Sequence, residues 1–208
     1  MYLSYSHAAS NTDEEFDVPV WERVATGLVT RLRCAPERIL HRWRRRRALA
    51  VLRRRPRPTA LLVICHGNIC RSPFAAALLA RALPGVRVES AGFMGPGRPP
   101  PPEAVTAAAR YGVSLSVHRS QLLTAERARA ADLIVVMDAA QRREIRYRFG
   151  RADRDVLVLG DLDPQPIRAR AIRDPVSQPL HVFEESYARI ERCARELQSA
   201  LGDSRGAP

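Results

Sequence analysis

An apolar run, 60–64, passes directly into Cys-His-Gly-Asn-Ile-Cys-Arg-Ser-Pro (65–73), which opens into the helix-forming stretch FAAALLARAL. This order sets Cys65 at the end of a buried strand, on a short loop, at a helix N-terminus. The same alternation of strand and helix continues downstream. Strands are expected at 60–65, 86–90, 132–137 and 155–159, and helices at 72–83, 102–111, 123–130, 138–148 and 180–201. In the last helix Leu180, Phe183, Tyr187, Ile190, Leu197 and Leu201 share one face. Strands that alternate with helices pair in parallel and are covered on both sides. The expected fold is therefore α/β, a three-layer sandwich with a four-stranded parallel twisted sheet and helices on both faces. Ligands of such sheets bind beyond the carboxyl ends of the strands, where Cys65 falls.

The residue types in the loop suit an anion. A helix N-terminus carries partial positive charge and unpaired N–H groups, which favour a thiolate as much as a phosphate. Five residues between Cys65 and Arg71 can wrap one tetrahedral oxyanion with inward N–H groups. Gly67 and Asn68 tolerate the left-handed backbone of so tight a ring. The planar fork of Arg71 can bind two phosphate oxygens. Ser72 stands where it can donate to the Cys65 sulfur, and Pro73 suits a first helical turn. Taken alone, a cysteine closing a buried strand is usually a small core residue. A Walker-type nucleotide loop is excluded, because it requires lysine and all 34 basic residues are arginine.

A cysteine attacking a phosphate ester needs an acid for the leaving oxygen. Asp174 in IRDPVSQP is the candidate, on the segment between the fourth strand and the last helix, with Pro175 fixing the backbone after it. The same Asp-Pro pair is also ordinary turn punctuation.

Several motifs in one register resemble the low-molecular-weight protein tyrosine phosphatase family over about 59–201. They are CHGNICRS, then Ser90-Ala91-Gly92, His118 in VHRSQLLT, Met137-Asp138, and Asp174-Pro175. The resemblance implies hydrolysis of phosphotyrosine through a phosphocysteine, with Cys65, Arg71 and Asp174 as catalytic residues. It implies that the phosphate is held by the loop residues His66, Gly67, Asn68, Ile69, Cys70 and Ser72. His118 and Pro175 would be supporting residues, with a loop histidine on the surface the alternative for His118. Cys70 would form a reversible disulfide with the nucleophile; otherwise it is a packed small residue. Neither a metal nor another cofactor is expected, because arginine and backbone supply the positive charge. The implied partner is a phosphotyrosine protein, with a bacterial tyrosine kinase as one candidate by analogy. The family carries aromatic residues after Asp-Pro, whereas this chain has Val176 and Ser177; Phe93 and Met94 follow Ser-Ala-Gly and can supply one wall. Thioredoxin-coupled arsenate reductases share the fold but need further redox cysteines on a mobile segment. None lies between Cys70 and Cys193. A phosphate-binding module without catalysis would lack the nucleophile or the acid.

The remaining third of the chain differs in composition. Residues 1–58 hold thirteen arginines against six acids, and Pro56 and Pro58 read as a linker. They are expected to form an arginine-rich, partly disordered extension before a phosphatase domain at 59–208. As a helix, 42–55 could lie on an anionic membrane with Trp43, Leu49 and Leu52 partly buried, or remain a solvated extension. No specific nucleic-acid partner is expected. Four cysteines (Cys34, Cys65, Cys70, Cys193) without disulfide or zinc spacing, and acids at 13–17, fit a cytoplasmic protein without a secretory leader.

Overall fold

The computed structural model describes residues 39–202. A helix at 39–54 (α1) leads into the sheet. Next come β1 (Ala60–Cys65), α2 (Arg71–Ala82), β2 (Arg87–Gly92), α3 (Pro102–Ala109) and α4 (Ala125–Ala130). The chain continues through β3 (Leu133–Val136), α5 (Ala139–Phe149), β4 (Val156–Val158) and α6 (Leu180–Gly202). The four strands lie in the order β2-β1-β3-β4, and every pairing is parallel.

Side-chain alternation along the strands divides the core in two. Leu61, Val63 and Cys65 of β1, with Leu133 and Val135 of β3, face a large cluster built by α2, α3 and α6. Leu62 and Ile64, with Ile134 and Val136, face a smaller cluster closed by Ala128 of α4 and Ile145 of α5. Both faces are covered, so β1 and β3 carry no polar side chain at all. Because β2 and β3 flank β1, the chain leaves β1 towards one face and β3 towards the other. The crevice between those two exits is where ligands bind in open α/β sheets.

Element ends fall within a few residues of expectation. β2 runs on two residues beyond expectation, to Gly92. A Cβ there would sit 2.8 Å from the Asn68 amide nitrogen and 2.9 Å from the His66 carbonyl oxygen. Glycine is thus required for the strand end to lie against the loop after β1.

The boundary expected at residue 58 falls behind α1, whereas the compact unit that contains the sheet already includes this helix. Leu49 and Leu52, which would meet lipid on the membrane reading of 42–55, are 8% and 2% exposed and belong to the large core cluster. His41 is buried as well. Arginines at most other positions of α1 hid this inner face, so hydropathy alone read the segment as an appendage. Residues 1–38, including the expected helical character from residue 20, lie outside the described residues. Among the described residues no helix is long and apolar enough to cross a membrane.

Candidate active site

The loop after β1 is a closed polar ring around the Cys65 sulfur. Cys65 Sγ accepts hydrogen bonds from the Asn68 amide at 3.2 Å and from the Ser72 hydroxyl at 3.0 Å. Asn68 is fully buried and left-handed, with φ 51°. Asparagine is among the few side chains that take this conformation readily. Its side chain then ties the ring together. Nδ2 donates to Ser72 Oγ and Ser90 Oγ, each at 2.9 Å, and Oδ1 accepts from the Gln121 amide at 2.7 Å. The Ser72 hydroxyl therefore receives from Asn68 and gives to sulfur, so its orientation is fixed.

His118 joins the same network. Its Nε2 lies 2.8 Å from the Asn68 carbonyl, which can only accept, so Nε2 carries the proton. Of the two readings open in the sequence, the structure shows the network rather than a detached surface histidine. His66 is exposed, but its carbonyl accepts from the Phe93 and Met94 amides and so fastens the rim to the end of β2. Gly67 and Ile69 are half-buried, with Ile69 resting on the large core cluster.

Helix α2 begins at Arg71 with Cys70 as its N-cap, has no side-chain cap, and carries no acid in its first turn. Its terminal N–H groups are therefore left for an anion. Cys70 is buried, and burial first, then the neighbouring Cys65 and Asp174, push its thiol well above the usual range. Beneath it, the Tyr187 hydroxyl of α6 donates to the Cys70 carbonyl at 3.1 Å. Tyr187 also stacks on Phe74 with ring centroids 4.0 Å apart. The loop thus rests on α6 as well as on β1. Cys193 lies buried further along α6, its thiol pushed up to about 12 by desolvation.

Arg71 and Asp174, 103 positions apart, meet as an ion pair, Nη2 to Oδ2. Nη1 of Arg71 donates to the Ile172 carbonyl at 3.0 Å. Its Nε is buried without a hydrogen-bond partner among the described residues. The arginine side chain is 4% exposed and the aspartate 43%. A guanidinium this deep needs an anion beside it, and an exposed carboxylate is the more easily displaced of the two. Pro175 follows Asp174, and the Val176 amide donates back to Asp174 Oδ1 at 3.3 Å. Val176 and Met94 are each 41% exposed, while Phe93 leans on the smaller core cluster.

Two arginine contacts were not anticipated. Arg98, inside the proline run, donates to the Gly67 carbonyl at 2.8 Å. Arg189 of α6 donates to the carbonyls of Ala171 and Ala169, at 2.8 and 2.9 Å, on the segment leading to Asp174. Neither has a local signal: one sits in a turn-rich stretch and the other on the polar side of an amphipathic helix.

Residues 60–206 match the sequence profile of the low molecular weight phosphotyrosine protein phosphatases. The chain belongs to that family. It is accordingly a protein-tyrosine-phosphatase, a hydrolase working through a phosphocysteine. A probable low molecular weight protein-tyrosine-phosphatase EpsP of Ralstonia solanacearum is 44% identical over 133 residues, 64% of this chain and 88% of that protein. The crystal structure of the tyrosine phosphatase Wzb from Escherichia coli K30 with sulphate superposes with a TM-score of 0.64 at 29% identity. It covers 70% of this chain and 99% of its own. The YwlE arginine phosphatase from Geobacillus stearothermophilus gives a TM-score of 0.62 at 30% identity, covering 70% and 94%.

Proposed function

We propose that Cys65 is the nucleophile, that Arg71 and the N-terminal amides of α2 hold the phosphoryl oxygens, and that Asp174 moves the proton. The observation carrying this reading is the pair of donors converging on Cys65 Sγ at an uncapped helix end. These donors stabilise negative charge on sulfur, and an incoming phosphate displaces the Asp174 carboxylate from Arg71. Released from the guanidinium, Asp174 takes up a proton from solvent, and the sulfur forms its bond to phosphorus as the ester oxygen leaves with that proton. In the second step the Asp174 carboxylate takes a proton from the attacking water. The S–P bond breaks and inorganic phosphate departs.

The substrate in this reading is a phosphotyrosine protein. Cys65 is buried beneath an exposed rim, so a long phosphoaryl group reaches the sulfur and a phosphoserine does not. Met94 and Val176 are the exposed apolar groups available to the ring. On matched peptides, kcat/KM for phosphotyrosine should exceed that for phosphoserine on the order of a hundredfold, because the shorter ester cannot reach in-line distance. Equal values would refute the assignment, and faster release of phosphate from phosphoarginine would redirect it. The tyrosine phosphatases among its bacterial relatives favour a tyrosine-phosphorylated protein of a bacterial cytoplasm as partner, with a tyrosine kinase as the narrower candidate.

Cys70, in the same loop, would protect the nucleophile. Peroxide converts the Cys65 thiolate to a sulfenic acid, and the Cys70 sulfur displaces hydroxide to give a disulfide that external thiol reduces. A Cys70→Ser variant treated with peroxide should recover far less activity with dithiothreitol than the parent. Recovery equal to the parent's would remove the role.

The outer face of α1 supports an anionic membrane surface as a further partner. Ile39 is 71% and Trp43 57% exposed, Arg42, Arg46, Arg53 and Arg54 are exposed as well, and no acid occurs from 39 to 58. The protein should sediment with phosphatidylglycerol vesicles but not with phosphatidylcholine, and 0.5 M salt should release it. Equal recovery in both supernatants excludes the membrane.

A further inference from the structure

The segment between β4 and α6 carries Asp174 but has no strand or long helix of its own. Side chains hold it in place. The Asp161 carboxylate receives Arg170 at 2.8 and 2.7 Å. The Asp163 carboxylate is buried and receives Arg189 at 3.0 Å and Arg192 at 3.3 Å. Arg189 reaches on to the carbonyls of Ala169 and Ala171, at 2.9 and 2.8 Å. Beyond these, the Ile172 amide is bound to the Met137 carbonyl at 3.0 Å, at the end of β3. The stretch 161–163 holds Arg170 directly and 169–171 through Arg189, while Ile172 is anchored separately at Met137, so the approach of the segment to Asp174 depends in part on where 161–163 sits.

Helix α1 fixes the stretch from outside the family core. Nε2 of His41 lies 2.8 Å from the Asp163 carbonyl, an acceptor only, so the imidazole donates. Nε of Arg45 donates to the Leu162 carbonyl at 3.3 Å, and its guanidinium pairs with Glu196 of α6. Arg44 lies 3.7 Å from the Asp161 carboxylate. His41 is buried, and its Nδ1 has no partner among the described residues. An apolar side chain would fill that space at lower cost, so the single bond from Nε2 is what the imidazole contributes. The family match begins only at residue 60.

We propose that α1 is a clamp for the acid-bearing segment, with His41 and Arg45 as positioning residues that keep Asp174 over Arg71 by holding the carbonyls of Asp163 and Leu162. This inference rests on Asp174 being the proton donor. His41→Leu and Arg45→Met keep most of the packing volume and remove only the donors.

The test is the dependence on leaving group in the full-length protein. Phenolate is a poor leaving group that needs the proton, and 4-nitrophenolate departs almost without it. In the double variant, kcat/KM for phenyl phosphate should fall about tenfold, as for a misplaced catalytic group. The value for 4-nitrophenyl phosphate should fall less than about twofold. In an Asp174→Ala background the same two substitutions should change neither. An equal loss on both substrates, a loss that persists without Asp174, or no loss on phenyl phosphate would overturn the clamp. Each single variant repeats the comparison should the double variant unfold. If Asp174→Ala alone leaves phenyl phosphate hydrolysis intact, the acid assignment fails first and the clamp falls with it.

Discussion

Replacing Cys65 by serine is expected to abolish hydrolysis of 4-nitrophenyl phosphate, with a loss of at least about 10⁴ in kcat. The loop holds its sulfur through one amide and one hydroxyl donor at the end of β1. A serine oxygen fits the same space and accepts the same bonds, but it remains a neutral alcohol and attacks phosphorus poorly. The fold should be unaffected, because Asn68 still ties Ser72, Ser90 and Gln121 together without the sulfur. Cys65→Ser should therefore still bind inorganic phosphate and keep its circular dichroism spectrum. Activity within about tenfold of the parent would mean that another group attacks.

Asp174→Ala carries the second large effect, and its sign differs between turnover and binding. Loss of the proton donor should lower kcat about 10² to 10³-fold, within the range for general acid–base groups. The same change removes the anion that occupies Arg71. Inorganic phosphate should then bind more tightly, by about fivefold or ~1 kcal/mol, a modest value because Asp174 is partly exposed and screened. The free variant leaves a buried guanidinium without its carboxylate, so added phosphate should raise its Tm more than that of the parent. Isothermal titration with phosphate alongside steady-state kinetics reads both effects. Weaker phosphate binding would show that the carboxylate assists the anion rather than competing with it.

What could be read from the sequence followed the range of the interactions involved. The Cys65 loop was legible because strand, ring and helix are contiguous, and Gly67, Asn68, Arg71 and Ser72 sit at fixed short offsets. Asp174 was legible as an Asp-Pro pair, but its pairing with Arg71 spans 103 positions and has no local trace. The support beneath the ring was missed for a related reason. Tyr187 reads as one more apolar residue on the buried face of α6, although its hydroxyl reaches the Cys70 carbonyl. The N-terminal helix was misread most. Its inward residues, His41, Ala48, Leu49 and Leu52, are interleaved with arginines, so the buried stripe is too thin to stand out from the charge. Arg45 and Arg44 also reach inward to Leu162 and Asp161, where composition alone assigns arginine to solvent.

The mechanism turns on a covalent phosphocysteine at position 65, and the Asp174→Ala variant offers the clearest view of it. With 4-nitrophenyl phosphate the first step needs little acid, while the second lacks its base, so the intermediate should accumulate. Acid quenching within the first turnovers, followed by peptide mass spectrometry, should find one added phosphoryl group on the peptide containing Cys65. Phosphate on any other residue, or an unmodified Cys65 alongside a full burst of 4-nitrophenolate, would contradict it.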